Sequence, residues 1–219
     1  MRRSRRRAKA PSRTASSSSF PVTSTSDLLD RWLTAVLETP GLTALRDPGE
    51  ARRVLFDDAL AGLELVRRFE GPIVDVGSGG GTPGIPLAAS LPNREVTLLE
   101  AERRKAEFLE RWTDELPNLR VIWGRAESQV TDCYKVAVAK ALAAPPVAAE
   151  WCLPLVKQGG AVILWVGPSA DANAVSRVAE RIAGELVESP AGFLVLRKTG
   201  PTPPGFPRRL GIAKKRPLA

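Results

Sequence analysis

The 219-residue chain has no histidine, one methionine, one tyrosine and two cysteines. Without histidine it lacks the most usual general base. Cys133 and Cys152 lie far apart, with no metal-ligand spacing. No metal site is expected, a disulfide framework is disfavoured, and a reducing compartment, the cytoplasm, is the plain reading. No apolar run is longer than Ala161 to Val166, far short of the roughly 20 residues that span a bilayer, so no membrane partner is expected. The N-terminus has no apolar segment of the secretory type.

Acidic residues are missing from both ends. Residues 1–26 carry seven basic groups and residues 197–219 seven more, leaving 18 basic against 24 acidic groups between 27 and 196. Basic ends on an acidic body point to a polyanion, most simply nucleic acid. The alternative at the N-terminus is a solubilising tail. Its Arg- and Ser-rich, acid-poor residues 1–25 also have the composition of an organellar transit peptide, and are read as disordered.

What is present is an alternation of helix and strand. Residues 26–70 read as a helical extension: a first helix capped by Ser26, with Leu28, Leu29, Trp32, Leu33, Val36 and Leu37 at helical spacing, ends at Pro40-Gly41. A second runs to about Phe69, with Asp47 as N-cap, Pro48 at the first position and Glu50 placed to reach back. Residues 71–198 then read as strands near 72–77, 95–100, 119–123, 134–139, 160–166 and 192–197, with helices near 84–91, 101–116, 145–157 and 171–184. Near-continuous apolar strands between helices predict an α/β fold, a mostly parallel sheet covered on both faces, with the last strand antiparallel at an edge. Residues 199–219 read as a basic extended arm.

The first strand ends Val74-Asp75-Val76 and opens into Gly77-Ser78-Gly79-Gly80-Gly81-Thr82-Pro83-Gly84. Glu100 closes the next strand, where an acid meets a ribose diol in nucleotide-type sites. No Gly-Lys-Ser/Thr follows the glycines, which excludes a P-loop. A dinucleotide template can be forced onto Gly79, Gly81 and Gly84, but Asp75 puts negative charge beside the expected pyrophosphate. S-adenosylmethionine carries an ammonium and a sulfonium and no phosphate, so the charge favours it over a nicotinamide dinucleotide. Asp75, Gly77, Ser78, Gly79, Gly81, Thr82 and Glu100 are therefore the candidate cofactor residues. Ala126-Glu127, after the third strand, opens onto the same crevice, and Glu127 reads equally well as a helix-N-terminal acid.

The run Asp75-Val-Gly-Ser-Gly-Gly-Gly-Thr-Pro-Gly-Ile-Pro-Leu87 resembles the cofactor motif of the bacterial 16S ribosomal RNA guanine-N7 methyltransferases, the ribosomal small-subunit methyltransferase G or glucose-inhibited division protein B family. Leu42 to Glu50, Gly124-Arg-Ala-Glu127 and Phe206 to Leu218 agree in the same order, so the resemblance covers about residues 26–218. It implies a Rossmann-like class I methyltransferase fold, S-adenosylmethionine as donor, and a guanine N7 of small-subunit RNA, free or in the small ribosomal subunit, as acceptor. By position, Gly77 and Thr82 line the cofactor and Ala126-Glu127 meet the adenine. Guanine N7 has an in-plane lone pair and no proton, so its attack needs alignment rather than a base.

Some positions depart from the family pattern. Lys140 stands where the family has arginine, Val166 replaces a lysine, and Phe56 falls at the family's histidine. Lys140 is assigned to substrate placement beside the cofactor. Arg208, Arg209, Lys214, Lys215 and Arg216 are assigned to RNA phosphates. The chain is expected to work as a monomer. The departures keep a second reading open, an RNA- or ribosome-binding relative with little or no catalysis.

Overall fold

A computed structural model describes residues 25–219, so the tail expected to be disordered lies almost wholly outside the described residues. The first helix, α1 (Thr25–Glu38), already includes Ser26, which is therefore not its cap. Its Leu28, Leu29, Trp32, Leu33 and Val36 stripe is buried. Asp47 caps α2 (Pro48–Ala51) by accepting the Glu50 amide at 2.7 Å. Among the described residues the Glu50 side chain makes no bond back to the cap.

The expected single second helix is broken. After α2 the backbone widens into a π-helical stretch (Arg52–Asp57) before α3 (Asp58–Ala61) and α4 (Leu63–Arg67). Gly62 separates the last two, and Trp165 occupies the space a side chain would take there: a Cβ would lie 2.3 Å from the indole.

The sheet follows as β1 (Ile73–Val76), β2 (Val96–Glu100), β3 (Leu119–Trp123), β4 (Tyr134–Lys140), β5 (Val156–Trp165), β6 (Gly184–Glu188) and β7 (Phe193–Lys198). Between them lie α5 (Gly84–Ser90), α6 (Arg103–Glu110), α7 (Pro145–Cys152) and α8 (Ala172–Glu180). The spatial order is β3-β2-β1-β4-β5-β7-β6. Strands β1 to β5 pair in parallel, while β7 runs antiparallel to both β5 and β6. Side-chain alternation splits the interior in two. Ile73, Val96, Leu98, Val136 and Ile163 pack with α1 and α6 on one face. Val74, Val76, Ala137, Val162 and Leu164 pack with α7 and α8 on the other. This is the Rossmann-like, doubly covered sheet that the sequence predicts.

Several boundaries differ from expectation, and helix α6 stops at Glu110 rather than near 116. Helix α7 stops at Cys152, and β5 begins at Val156 rather than near 160. Helix α8 stops at Glu180, and the left-handed Ala183 (φ 52°) turns the chain into β6, an unanticipated seventh strand. Strand β6 takes the edge, so β7 lies inside it. The C-terminal arm is not simply extended: it forms α9 (Ile212–Lys215) and buries Ala213.

Candidate cofactor cleft and active site

A cleft of about 580 Å³ opens at the carboxyl ends of β1 to β4. Its floor is the glycine loop. Gly77 has φ +73°, and a Cβ there would lie 2.3 Å from Leu142, so only glycine fits this bend without displacing the opposite wall. The Ser78 hydroxyl donates to the Asp75 carbonyl at 2.9 Å. Trp32 donates its indole N–H to the Gly80 carbonyl, and the Thr82 hydroxyl donates to the Leu55 carbonyl. The helical extension thus holds the loop from outside.

Both oxygens of Glu100 are engaged: Oε2 accepts the Gly79 amide at 2.8 Å and Oε1 the Glu102 amide at 2.7 Å. Each oxygen keeps a further lone pair for a ligand hydroxyl. The Gly79 amide, which a phosphate would need, is already taken.

Asp75 corrects the sequence reading. Its side chain is fully buried and does not line the cleft. Oδ2 accepts the Gly84 amide at the start of α5 at 3.0 Å, and Oδ1 has no partner. Burial pushes this carboxyl up to about 7, the Gly84 amide offsets part of that rise, and nearby Glu100 adds to it. The acid therefore does not face an ammonium group. It excludes a pyrophosphate differently, by occupying the helix start where the phosphates of a dinucleotide rest. Gly81 also lies outside the cleft. At φ +105° it lets Ile85 and Trp32 approach to 2.5 and 3.1 Å of where a Cβ would be.

At the mouth of β4, Lys140 Nζ pairs with Asp58 Oδ2 at 2.9 Å, and the left-handed Ala141 (φ 54°) turns the chain along the cleft wall. Asp58 is held in turn by its carbonyl, which accepts the Trp165 indole N–H at 2.8 Å. Phe56, at the position of the family's histidine, lies under the Arg52 guanidinium, 5.0 Å from the ring centre.

The far wall is made by Ala126, Glu127, Trp151 and the C-terminal arm. Glu127 Oε1 accepts the Gly211 amide at 3.1 Å, and Lys214 Nζ sits 5.3 Å over the Trp151 ring. Arg208 is not a free phosphate ligand. Its guanidinium bonds both oxygens of the buried Glu150 at 2.5 and 2.6 Å and donates to the Arg216 carbonyl. Arg209, Lys214, Lys215 and Arg216 are exposed.

Gly77, Ser78, Gly79, Thr82, Glu100, Ala126, Glu127 and Lys140 therefore meet at one cleft, while Asp75 and Gly81 do not face it, and Lys214, assigned to RNA phosphates, lines it as well. Sequence reasoning missed Thr43, Leu55, Lys105, Arg125 and Trp151, which also line it. The Leu42–Glu50 segment was the available signal for Thr43. Trp151 reads as core and is buried, yet one side of it borders the cleft.

A family profile described as rRNA small subunit methyltransferase G matches residues 27–190. The chain belongs to that family. A ribosomal RNA small subunit methyltransferase G of Synechococcus elongatus is 36% identical over 198 residues, 81% of this chain and 82% of the relative. That of Moorella thermoacetica is 34% identical over 197 residues, again 81% and 82%. Among solved structures, a branched-chain polyamine synthase from Thermus thermophilus superposes with a TM-score of 0.55 at 17% identity, covering 88% of this chain and 62% of that one. A TehB-like SAM-dependent methyltransferase from Corynebacterium glutamicum gives 0.51 at 16% identity, covering 80% and 98%. These two likenesses concern the fold.

Proposed function

We propose that the chain is an S-adenosylmethionine-dependent methyltransferase that modifies N7 of a guanine in 16S ribosomal RNA. The observation that carries the reading is the cleft itself: a glycine bend closed against Leu142, with Glu100 at its rim and its phosphate-binding amides already satisfied, in a chain of the methyltransferase G family. The residues suit a sulfonium nucleoside without phosphates. When bound, S-adenosylmethionine supplies an electrophilic methyl group.

In this reading Gly77, Ser78, Gly79 and Thr82 receive the methionine end, Glu100 takes the ribose hydroxyls, and Ala126 and Glu127 border the adenine. Asp75 and Gly81 act behind this surface by fixing the loop. Lys140 places the target base. No general base is required, because guanine N7 presents an unprotonated lone pair, and rate comes from alignment. Arg209, Lys214, Lys215 and Arg216 supply phosphate contacts, which fix register without reading sequence. Bacterial rRNA is made and folded in the cytoplasm, so the proposal places a monomeric chain there; light scattering on the purified chain checks that state.

Two experiments test the reading. Mass mapping of 16S RNA from cells with and without the chain is expected to show one methylated guanine lost with it. Unchanged maps, with RNA binding retained, would favour the non-catalytic relative to which the changes at Phe56 and Val166 point. By calorimetry, Gly77→Asp is expected to abolish S-adenosylmethionine binding, since its side chain enters the space of Leu142. Full affinity in that variant would remove the loop assignment.

A further inference from the structure

We infer that Asp58 and Lys140 together read the Watson–Crick side of the target base, selecting guanine over adenine. The inference rests on the guanine-N7 reading above and gives its site a specificity determinant.

The observation is a donor that lines the cleft with an acceptor fixed beside it, just outside the lining residues. Lys140 Nζ and Asp58 Oδ2 are 2.9 Å apart, and Lys140 lines the cleft. Their environments are unequal. The Lys140 side chain is only 12% exposed and the Asp58 side chain 51%, so the cation is sunk into the cleft wall and the anion reaches solvent beside it. Neither group is saturated. An ammonium has three donors, and Asp58 engages one. Among the described residues, Asp58 Oδ1 makes no hydrogen bond or ion pair.

The aspartate is also fixed from behind. Trp165 donates its indole N–H to the Asp58 carbonyl, and that indole packs edge-on to Phe193 with ring centres 5.2 Å apart. Gly62 leaves the space the indole fills. Asp58 is therefore placed by packing from β5 and β7, not by Lys140 alone.

Guanine offers the matching pattern. Its O6 accepts, and its neighbouring N1–H and 2-amino group donate. Lys140 donating to O6, with both Asp58 oxygens accepting from N1–H and the 2-amino group, satisfies all three and leaves N7 unblocked. Adenine reverses the polarity: its 6-amino donor would meet the ammonium, and its bare N1 the carboxylate. Enzymes that act on a single base read its Watson–Crick edge in this way. A site built to hydrogen-bond a group discriminates strongly against an analogue without it, because its own polar atoms are left unpaired.

The test compares 16S RNA carrying guanosine or inosine at the modified position, assembled into small subunits, using the full chain. Inosine lacks only the 2-amino group. For the native chain, kcat/KM is expected to fall about tenfold to a hundredfold on that replacement, the loss of one hydrogen bond to a charged acceptor. Asp58→Asn is expected to lower kcat/KM on guanosine by a similar factor and to treat the two bases alike. Its affinity for S-adenosylmethionine, measured by calorimetry, is expected to stay native, which separates base reading from a general collapse of the cleft.

Equal rates on guanosine and inosine with the native chain would overturn the inference while leaving the proposed function standing. So would a full guanosine preference in Asp58→Asn. Absence of any guanine methylation by the native chain would instead remove the functional reading on which the inference depends.

Discussion

At Asp75 a carboxyl group sits in the interior with one oxygen on the Gly84 amide and the other unpartnered. Its proton is held to about pH 7, whereas an unfolded chain releases it near 3.8. Between those values the folded state binds more protons than the unfolded state, so stability falls as pH rises through the window, by at most about 1.4 kcal/mol per pH unit. Asp75→Asn keeps an acceptor for Gly84 and removes the titration. Urea melts from pH 4 to 8 are therefore expected to show the variant gaining on the native chain up to about pH 7 and holding a constant advantage above it. Parallel curves would assign the pH dependence elsewhere. The acid and the glycines were legible in the sequence, but the direction of the Asp75 side chain was not. All four residues of β1 are buried on both faces, so alternation carries no inside–outside contrast. Gly77 and Gly81 look alike in sequence; one bends against Leu142 at the cleft and the other makes room for Trp32 behind it.

At the scale of elements, the parallel strands and the glycine loop were readable because each strand is a short apolar run next to a breaker. Strand β6 was not. Its Gly-Glu-Leu-Val-Glu has charge at Glu185 and Glu188 and is mostly exposed, and it follows closely on the apolar stripe of α8, so the helical period runs on past the point where Ala183 turns the chain. The C-terminal arm was legible as charge and as a family-like segment, but not in its contacts. What holds it is the Arg208–Glu150 pair, with Glu150 2% exposed, and the buried Lys198, whose ammonium donates to the Leu153 carbonyl and the Thr202 hydroxyl. Burial pulls the Lys198 ammonium below its usual range, and Asp132 partly restores it. Removing one member of a buried pair leaves its partner uncompensated. Arg208→Ala is expected to cost about 3–5 kcal/mol in thermal or urea unfolding and to expose the arm to protease. The double change Arg208→Met with Glu150→Leu is expected to recover most of that loss. A double variant as unstable as the single would mean that the arm relies on the charges themselves.

Across the whole molecule, the positive charge lies at the two ends and the body between is net acidic. RNA affinity should therefore be carried by those ends and be steeply dependent on salt. Alanine at Arg209, Lys215 or Arg216, each exposed, is expected to reduce the slope of log affinity against log salt by roughly 0.7–0.9 per residue while leaving sequence preference alone. Binding titrations from 50 to 200 mM salt check this, and an unchanged slope would take that residue off the phosphate backbone.

The Glu127–Gly211 and Lys214–Trp151 contacts bear on truncation. Every strand is complete by Lys198, yet one side of the cleft is supplied by residues that follow it. A premature stop shortly after Lys198 therefore spares the sheet and takes that side of the cleft away.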